Sequence, residues 1–378
     1  MEKRDPSKPS PNSSPHAPPK ATADSRTPVT LLTGFLGSGK TTLLNDLLSH
    51  PAMAGTAVIV NEFGSIPLDH DLVQTGRETY LRTSTGCLCC TATSDIRASL
   101  YELDQGVAAG AVAAVQRVIV ETTGLADPAP IVNSLIAGGA PALGLRDHVV
   151  ARRYRLAGVV TAFDALEGLS TLEHFMEGWK QLAFADHIVL TKTDLPHRAR
   201  DWVAELEHLN PAATLHDRHA PGFDLTGLFG RGAYSPDGKA EDVAGWLAMD
   251  RLAAPHDHAH DGTRHGSIET VSLTHDVPLD RRALDVFLKV VTSNIDSGLL
   301  RMKGLFAVSD DPERPIVAHS VQHRLYPLSR LDRWPDENRQ TRVVLIGQNM
   351  PVRQIRELFA ALAPRPRKAF SWRSRRDA

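Results

Sequence analysis

Residues Val29 to Leu48 read VTLLTGFLGSGKTTLLNDLL. Val29-Thr30-Leu31-Leu32 is a short apolar run of the kind a buried strand needs. Gly34, Gly39, Lys40 and Thr41 then match G-x-x-x-x-G-K-[ST], and Leu43, Leu44, Leu47 and Leu48 recur at helical spacing. Strand, glycine-rich loop and helix therefore follow one another as a phosphate-binding loop requires. Gly34, Gly37, Ser38 and Gly39 let the backbone wrap a polyphosphate, and Lys40 adds a positive charge facing the β- and γ-phosphates. Thr41 offers a hydroxyl to Mg²⁺, and Thr42 continues the phosphate-facing first turn. A glycine-rich turn with a chance lysine is the bland alternative, and the flanking strand and helix patterns argue against it.

Outward from that stretch, the chain is ordinary for a soluble globular protein. Of its 378 residues 42% are hydrophobic and 23% charged, and a length of this order favours two domains over one. A net charge of −2 gives no argument for nucleic acid or an anionic membrane surface as a partner, and no apolar run approaches a membrane span. Residues 1–26 are rich in Pro, Ser, Ala and Lys without an apolar core, so they predict a disordered leader rather than a secretory signal. Cytoplasmic residence follows as the default.

Further apolar runs alternate with helical stretches. Thr56–Asn61, Arg117–Glu121, Leu156–Val160 and His187–Thr191 each read as a buried strand that ends in polar residues. A loop containing Gly76 and Gly86 leads to the cysteines, and Asp95–Leu103 reads as a helix. The expected fold is α/β: a nucleotide-binding domain with a mostly parallel sheet over residues 27–228, its ligands at the carboxyl ends of the strands. Residues 229–266 decay into a His-rich linker. A smaller α+β domain is expected over 267–364, with strands at Ser267–Thr274, Leu299–Val308, Pro315–Tyr326 and Arg342–Ile346. Its helices, at Asp280–Val291 and from Val352, should cover one face. A basic tail closes the chain at 365–378.

Three constellations carry chemistry. Glu121-Thr122-Thr123-Gly124 ends the third strand, where Glu121 can orient water on Mg²⁺ or the attacking water itself. Gly124 leaves its N–H open to a γ-phosphate. Thr191-Lys192-Thr193-Asp194 ends the fifth and resembles the guanine-reading Asn-Lys-x-Asp motif. The Asp194 carboxylate can accept from guanine N1–H and the 2-amino group, and Lys192 can lay its stem along the base. Thr191 stands where that motif has Asn, which weakens guanine selection.

All three cysteines, Cys87, Cys89 and Cys90, fall within four residues, in what reads as a loop. An odd, tight cluster is no disulfide framework, and thiolates suit Zn²⁺. Three such ligands leave one position for water, a partner's group or Glu62. The bland alternative is small buried hydrophobes. His256, His258, His260 and His265 in the linker can hold metal loosely or stay solvated.

In this order, the P-loop, Asn61-Glu62-Phe63-Gly64, Gly86-Cys87-Leu88-Cys89-Cys90, Glu121–Gly124 and Thr191–Asp194 closely resemble the CobW-like family of metal-chaperone GTPases. Arg301-Met302-Lys303-Gly304 and the Arg342–Gly347 run resemble that family's C-terminal domain. The resemblance implies GTP and Mg²⁺ in the P-loop, a transition metal (Zn²⁺ or Co²⁺) on the cysteines, and slow, metal-linked hydrolysis to GDP. It also implies a metalloprotein client, with a homodimer as a compatible assembly. Two other classes stay open: a P-loop small-molecule kinase, and a zinc-storage or zinc-sensing protein without useful turnover.

Overall fold

The computed structural model describes residues 25–61, 79–82, 88–136, 144–195, 202–230, 268–293 and 298–362. The leader and the His-rich linker lie almost wholly outside these residues, and Glu62, Cys87 and the basic tail lie wholly outside them.

Strand β1 (Thr27–Thr33) runs through the middle of a seven-stranded sheet and leads by the P-loop into α1 (Lys40–Ser49). The other strands are β2 (Thr56–Asn61), β3 (Thr79–Arg82), β4 (Arg117–Thr122), β5 (Tyr154–Asp164), β6 (His187–Thr191) and β7 (Thr214–Asp217). Their order is β3-β2-β4-β1-β5-β6-β7, and every pairing is parallel. Side chains of β1 alternate between two cores. Val29 and Leu31 pack with α2 (Leu88–Ala108) and α3 (Pro128–Leu135), while Leu32 packs with Leu43, Leu44 and Leu47 of α1. A strand covered on both faces has no polar side, which is why it reads as a continuous apolar run.

Two strands of this sheet lie where the sequence predicts none. β3 falls in the expected loop before the cysteines, and β7 (TLHD) is half-buried along its length. Both are four-residue edge strands, too short to carry an apolar run, and their backbone pairing holds them in place. A second correction concerns the cysteines. Helix α2 starts at Leu88 rather than Asp95, so Cys89 and Cys90 lie in its first turn and not in a loop. No Gly or Pro stands between Gly86 and Asp95 to keep the chain out of a helix.

Helices α4 (Leu145–Arg153), α5 (Gly168–His174), α6 (Met176–Ala183), α7 (Trp202–Leu209) and α8 (Leu225–Gly230) complete the first domain. After residue 267 comes an antiparallel sheet of β8 (Ile268–His275), β9 (Leu299–Phe306), β10 (Ile316–Val321), β11 (Arg324–Leu325), β12 (Ser329–Arg330) and β13 (Thr341–Gln348). Its order is β11-β10-β9-β13-β8, with β12 also on β10. Helices α9 (Arg281–Ser293) and α10 (Val352–Ala360) cover one face through Leu284, Phe287, Ile355 and Phe359. The Asp280 carboxylate caps α9, accepting from the N–H groups of Arg282 (2.9 Å) and Ala283 (3.1 Å). Alternate residues of the same strands, Leu300, Leu305, Val344 and Ile346, turn to the first domain and join its core. The C-terminal sheet is therefore sandwiched, with its own helices on one side and the parallel sheet's domain on the other.

That junction buries charge. Asp186, just before β6, is fully buried, and Arg301 and Lys303 of β9 both pair with it, Lys303 at 2.9 Å. The remaining Asp186 oxygen accepts the Val159 N–H (2.8 Å), and Arg301 also donates to the Phe184 carbonyl. Burial opposes ionisation of Asp186, but the two cations outweigh it and hold its carboxyl well below the usual range.

Candidate nucleotide site

The loop after β1 passes so close to β5 that only glycine fits at its start. Gly34 has φ +140°, and a Cβ there would sit 2.4 Å from the Ala162 carbonyl oxygen. Gly39, at φ 86°, turns the chain into α1. Buried Lys40 folds back over the loop and donates to the carbonyls of Gly34 and Phe35, both at 2.9 Å. Ser38 is buried, whereas Gly37 and Thr42 are exposed.

Beside this loop, the Thr41 hydroxyl donates to the Glu121 carboxylate at 2.9 Å across 80 residues of sequence. The β1–β4 register sets the meeting: Leu32 lies opposite Glu121, so the ends of both strands open at one level. Glu121 is buried. A hydroxyl and a carboxylate in contact are hard oxygen donors of the kind Mg²⁺ takes, so these residues suit that ion. One residue on, the Thr122 hydroxyl donates to that of Thr33 (2.8 Å). Gly124 backs onto the P-loop so tightly that a Cβ would meet the Leu36 nitrogen at 2.4 Å.

The end of β6 joins the same group. The Thr191 hydroxyl is buried and donates towards the carbonyls of Ser38 (2.8 Å) and Phe163 (3.1 Å), tying the P-loop to β5 and β6. A departure from the guanine-reading motif thus has a structural use here. Lys192 takes the left-handed conformation (φ 59°), and its ammonium pairs with Asp164 at 2.5 Å. The Asp194 carboxylate is half exposed, 3.4 Å from His219 Nδ1. Between them the Thr193 hydroxyl donates to Asp217 (2.5 Å) and lies 2.9 Å from His219 Nδ1.

The structure thus gathers the P-loop residues, Glu121, Gly124, Lys192 and Asp194 at the carboxyl end of the sheet. Cys89 and Cys90 enter only as positions on α2, and Glu62 and Cys87 fall outside the described residues. Among the described residues no group of three His, Cys, Asp or Glu side chains could hold a metal ion. Sequence reasoning missed Asp164, Asp217 and His219. Only Asp164 left a signal, as a carboxylate ending an apolar strand. No helix among the described residues is long and apolar enough to cross a membrane.

Residues 28–217 match the family described as CobW/HypB/UreG, nucleotide-binding domain. Residues 268–363 match the cobalamin synthesis protein cobW C-terminal domain. The zinc chaperone YjiA of Escherichia coli (strain K12) is 30% identical over 336 residues, covering 88% of this chain and 98% of that protein. The zinc chaperone CobW of Sinorhizobium sp is 28% identical over 369 residues, covering 89% and 97%. The solved structure of Zn(II)-bound YjiA GTPase from E. coli superposes with a TM-score of 0.65 at 25% identity, covering 90% of this chain and 99% of that one.

Proposed function

The chain belongs to the CobW/HypB/UreG family, and from that premise we propose that it is a Mg²⁺-dependent GTPase that delivers zinc to a client metalloprotein. The carrying observation is the Thr41–Glu121 contact beside the Lys40 loop, with Lys192 and Asp194 held next to it through the Thr191–Ser38 bond. Lys40 exchanges its two carbonyl partners for the β- and γ-phosphates, which attract an ammonium more strongly than neutral carbonyls do. Thr41 and Glu121 hold the magnesium, which supplies charge neutralisation on the phosphates when bound. Glu121 orients the water, and the Gly124 N–H faces the γ-phosphate.

Base reading falls to Asp194, which accepts from the guanine N1–H and amino group. Lys192, anchored by Asp164, lies along the ring. The cargo is zinc, with cobalt as the alternative, bound by Cys87, Cys89, Cys90 and Glu62. These residues stand in the chain between the P-loop and Glu121, where a γ-phosphate can order a segment and hydrolysis release it. The reaction and the delivery are placed in the cytoplasm.

The test compares hydrolysis of GTP and ATP by chelator-treated protein in Mg²⁺, for the wild type and for Asp194→Asn. GTP should be hydrolysed in preference, because a site built around hydrogen bonds leaves its own groups unpaired on the wrong base. The substitution should erode that preference while hydrolysis itself persists. Equal use of both nucleotides by the wild type would refute the base assignment, and no hydrolysis of either would refute the GTPase.

A further inference from the structure

Gln181 of α6 is buried at 1% exposure, some distance along the chain from every motif discussed above. Its amide nitrogen donates to the carbonyls of Gly124 (3.0 Å) and Ala126 (3.2 Å). Two carbonyl partners fix which end of the amide is the nitrogen, since an amide oxygen could bond neither. The Gln181 backbone is held in turn: its carbonyl accepts the Thr161 hydroxyl of β5 at 2.9 Å. The preceding residue grips the same turn from outside, Lys180 pairing with Asp127 at 2.9 Å. Asp127 also caps α3, accepting the Ala129 N–H.

On its other side the turn has no slack, because Gly124 rests against the Leu36 backbone. The position of Gly124 is therefore set by a vice, with the P-loop as one jaw and Gln181 as the other. Both jaws stand on β1 and β5, which pair directly.

We infer that Gln181 is a positioning residue for GTP hydrolysis, holding the Gly124–Ala126 turn at the distance from the P-loop that γ-phosphate recognition needs. This rests on the GTPase reading above. Without the amide donor, two carbonyls lose their partner and the turn relaxes away from Leu36. Contacts to the β-phosphate and the base come from other loops and stay in place. The defect should therefore follow the γ-phosphate alone.

The experiment is steady-state GTP hydrolysis by Gln181→Met, which keeps length and apolar bulk but donates nothing. GDP and a non-hydrolysable GTP analogue are titrated alongside by calorimetry. A displacement of about 1 Å in a reacting arrangement costs roughly a hundredfold, so kcat should fall about 10- to 100-fold. GDP affinity should stay within about threefold of wild type, while the analogue binds more weakly. Gln181→Glu, which puts carboxylate oxygens against the two carbonyls, should show the same pattern. Wild-type kcat in either folded variant overturns the proposal. So does an equal loss of GDP and analogue affinity, which would mark a merely structural role. Where Gln181→Met does not fold, Lys180→Met loosens the same turn from the surface and should lower kcat by a smaller factor. Unchanged kcat there overturns the proposal too. A wild-type protein inert towards GTP would instead remove the GTPase reading on which it rests.

Discussion

The two ends of the parallel sheet handle charge in opposite ways. At the carboxyl end, Lys40, Thr41 and Glu121 satisfy one another or nearby carbonyls through bonds that a ligand can replace. At the amino end, Asp186 is locked between Arg301 and Lys303 with no access to water. The first set of bonds is exchangeable and the second is closed. The difference shows that buried polarity alone does not mark a site. What marks one is whether the partners are exchangeable.

The contrast can be broken most severely at Lys40. Lys40→Ala should lower affinity for a GTP analogue by about a hundredfold or more, since charge-assisted bonds to phosphate are lost. Its unfolding free energy should move by only about 1 kcal/mol, because two neutral carbonyls lose one donor. Calorimetry and urea denaturation on the same preparation would read both.

Asp186→Ala should do the reverse. It strands two buried cations and should destabilise the protein by about 3–5 kcal/mol, the range expected when one member of a buried ion pair is removed. The phosphate contacts are untouched, so any folded fraction should bind nucleotide normally. A mild loss of stability would show that water reaches the junction.

A smaller effect sharpens the comparison by pH. Burial, partly offset by Asp186, lowers the pKa of His187 to about 4, with His216 and Lys303 acting in the same direction as burial. His216, 3.1 Å away across the β6–β7 pairing, is lowered by burial as well. The folded state thus keeps these imidazoles neutral where the unfolded chain, titrating near 6.5, takes up protons. Their contribution is complete above about pH 6.5 and is lost as pH falls towards 4. Melting temperature should therefore drop across that window, and His187→Gln should flatten the slope. A flat profile in the wild type would contradict the burial argument.

Much of this architecture was legible in the sequence because strands buried on both faces write themselves as apolar runs. The run at His187–Thr191 predicted β6 residue for residue, and the polar ends of β1, β4 and β6 supplied the residues of the candidate nucleotide site. The edge strands β3 and β7 were not legible, since backbone pairing asks little of side chains at a sheet edge. Asp186 reads locally as a polar strand start, and its partner Arg301 lies 115 residues further on. Gln181 is one amide on an amphipathic helix, and nothing in its neighbours points to a turn over fifty residues earlier. Thr191 was legible only as a departure, and its bond to Ser38 needed the fold to bring the two together.

The central claim is that nucleotide state and zinc affinity are linked. The direct test is a competition titration of Zn²⁺ between the protein and a chelator, with GDP bound and with a GTP analogue bound. The four linker histidines, His256, His258, His260 and His265, are replaced so that only the cysteine site is read. Linked sites commonly differ by about 5- to 150-fold, and the analogue-bound form should bind zinc more tightly by a factor in that range. Equal affinities in the two states would contradict the account, leaving a nucleotide site and a metal site that do not communicate.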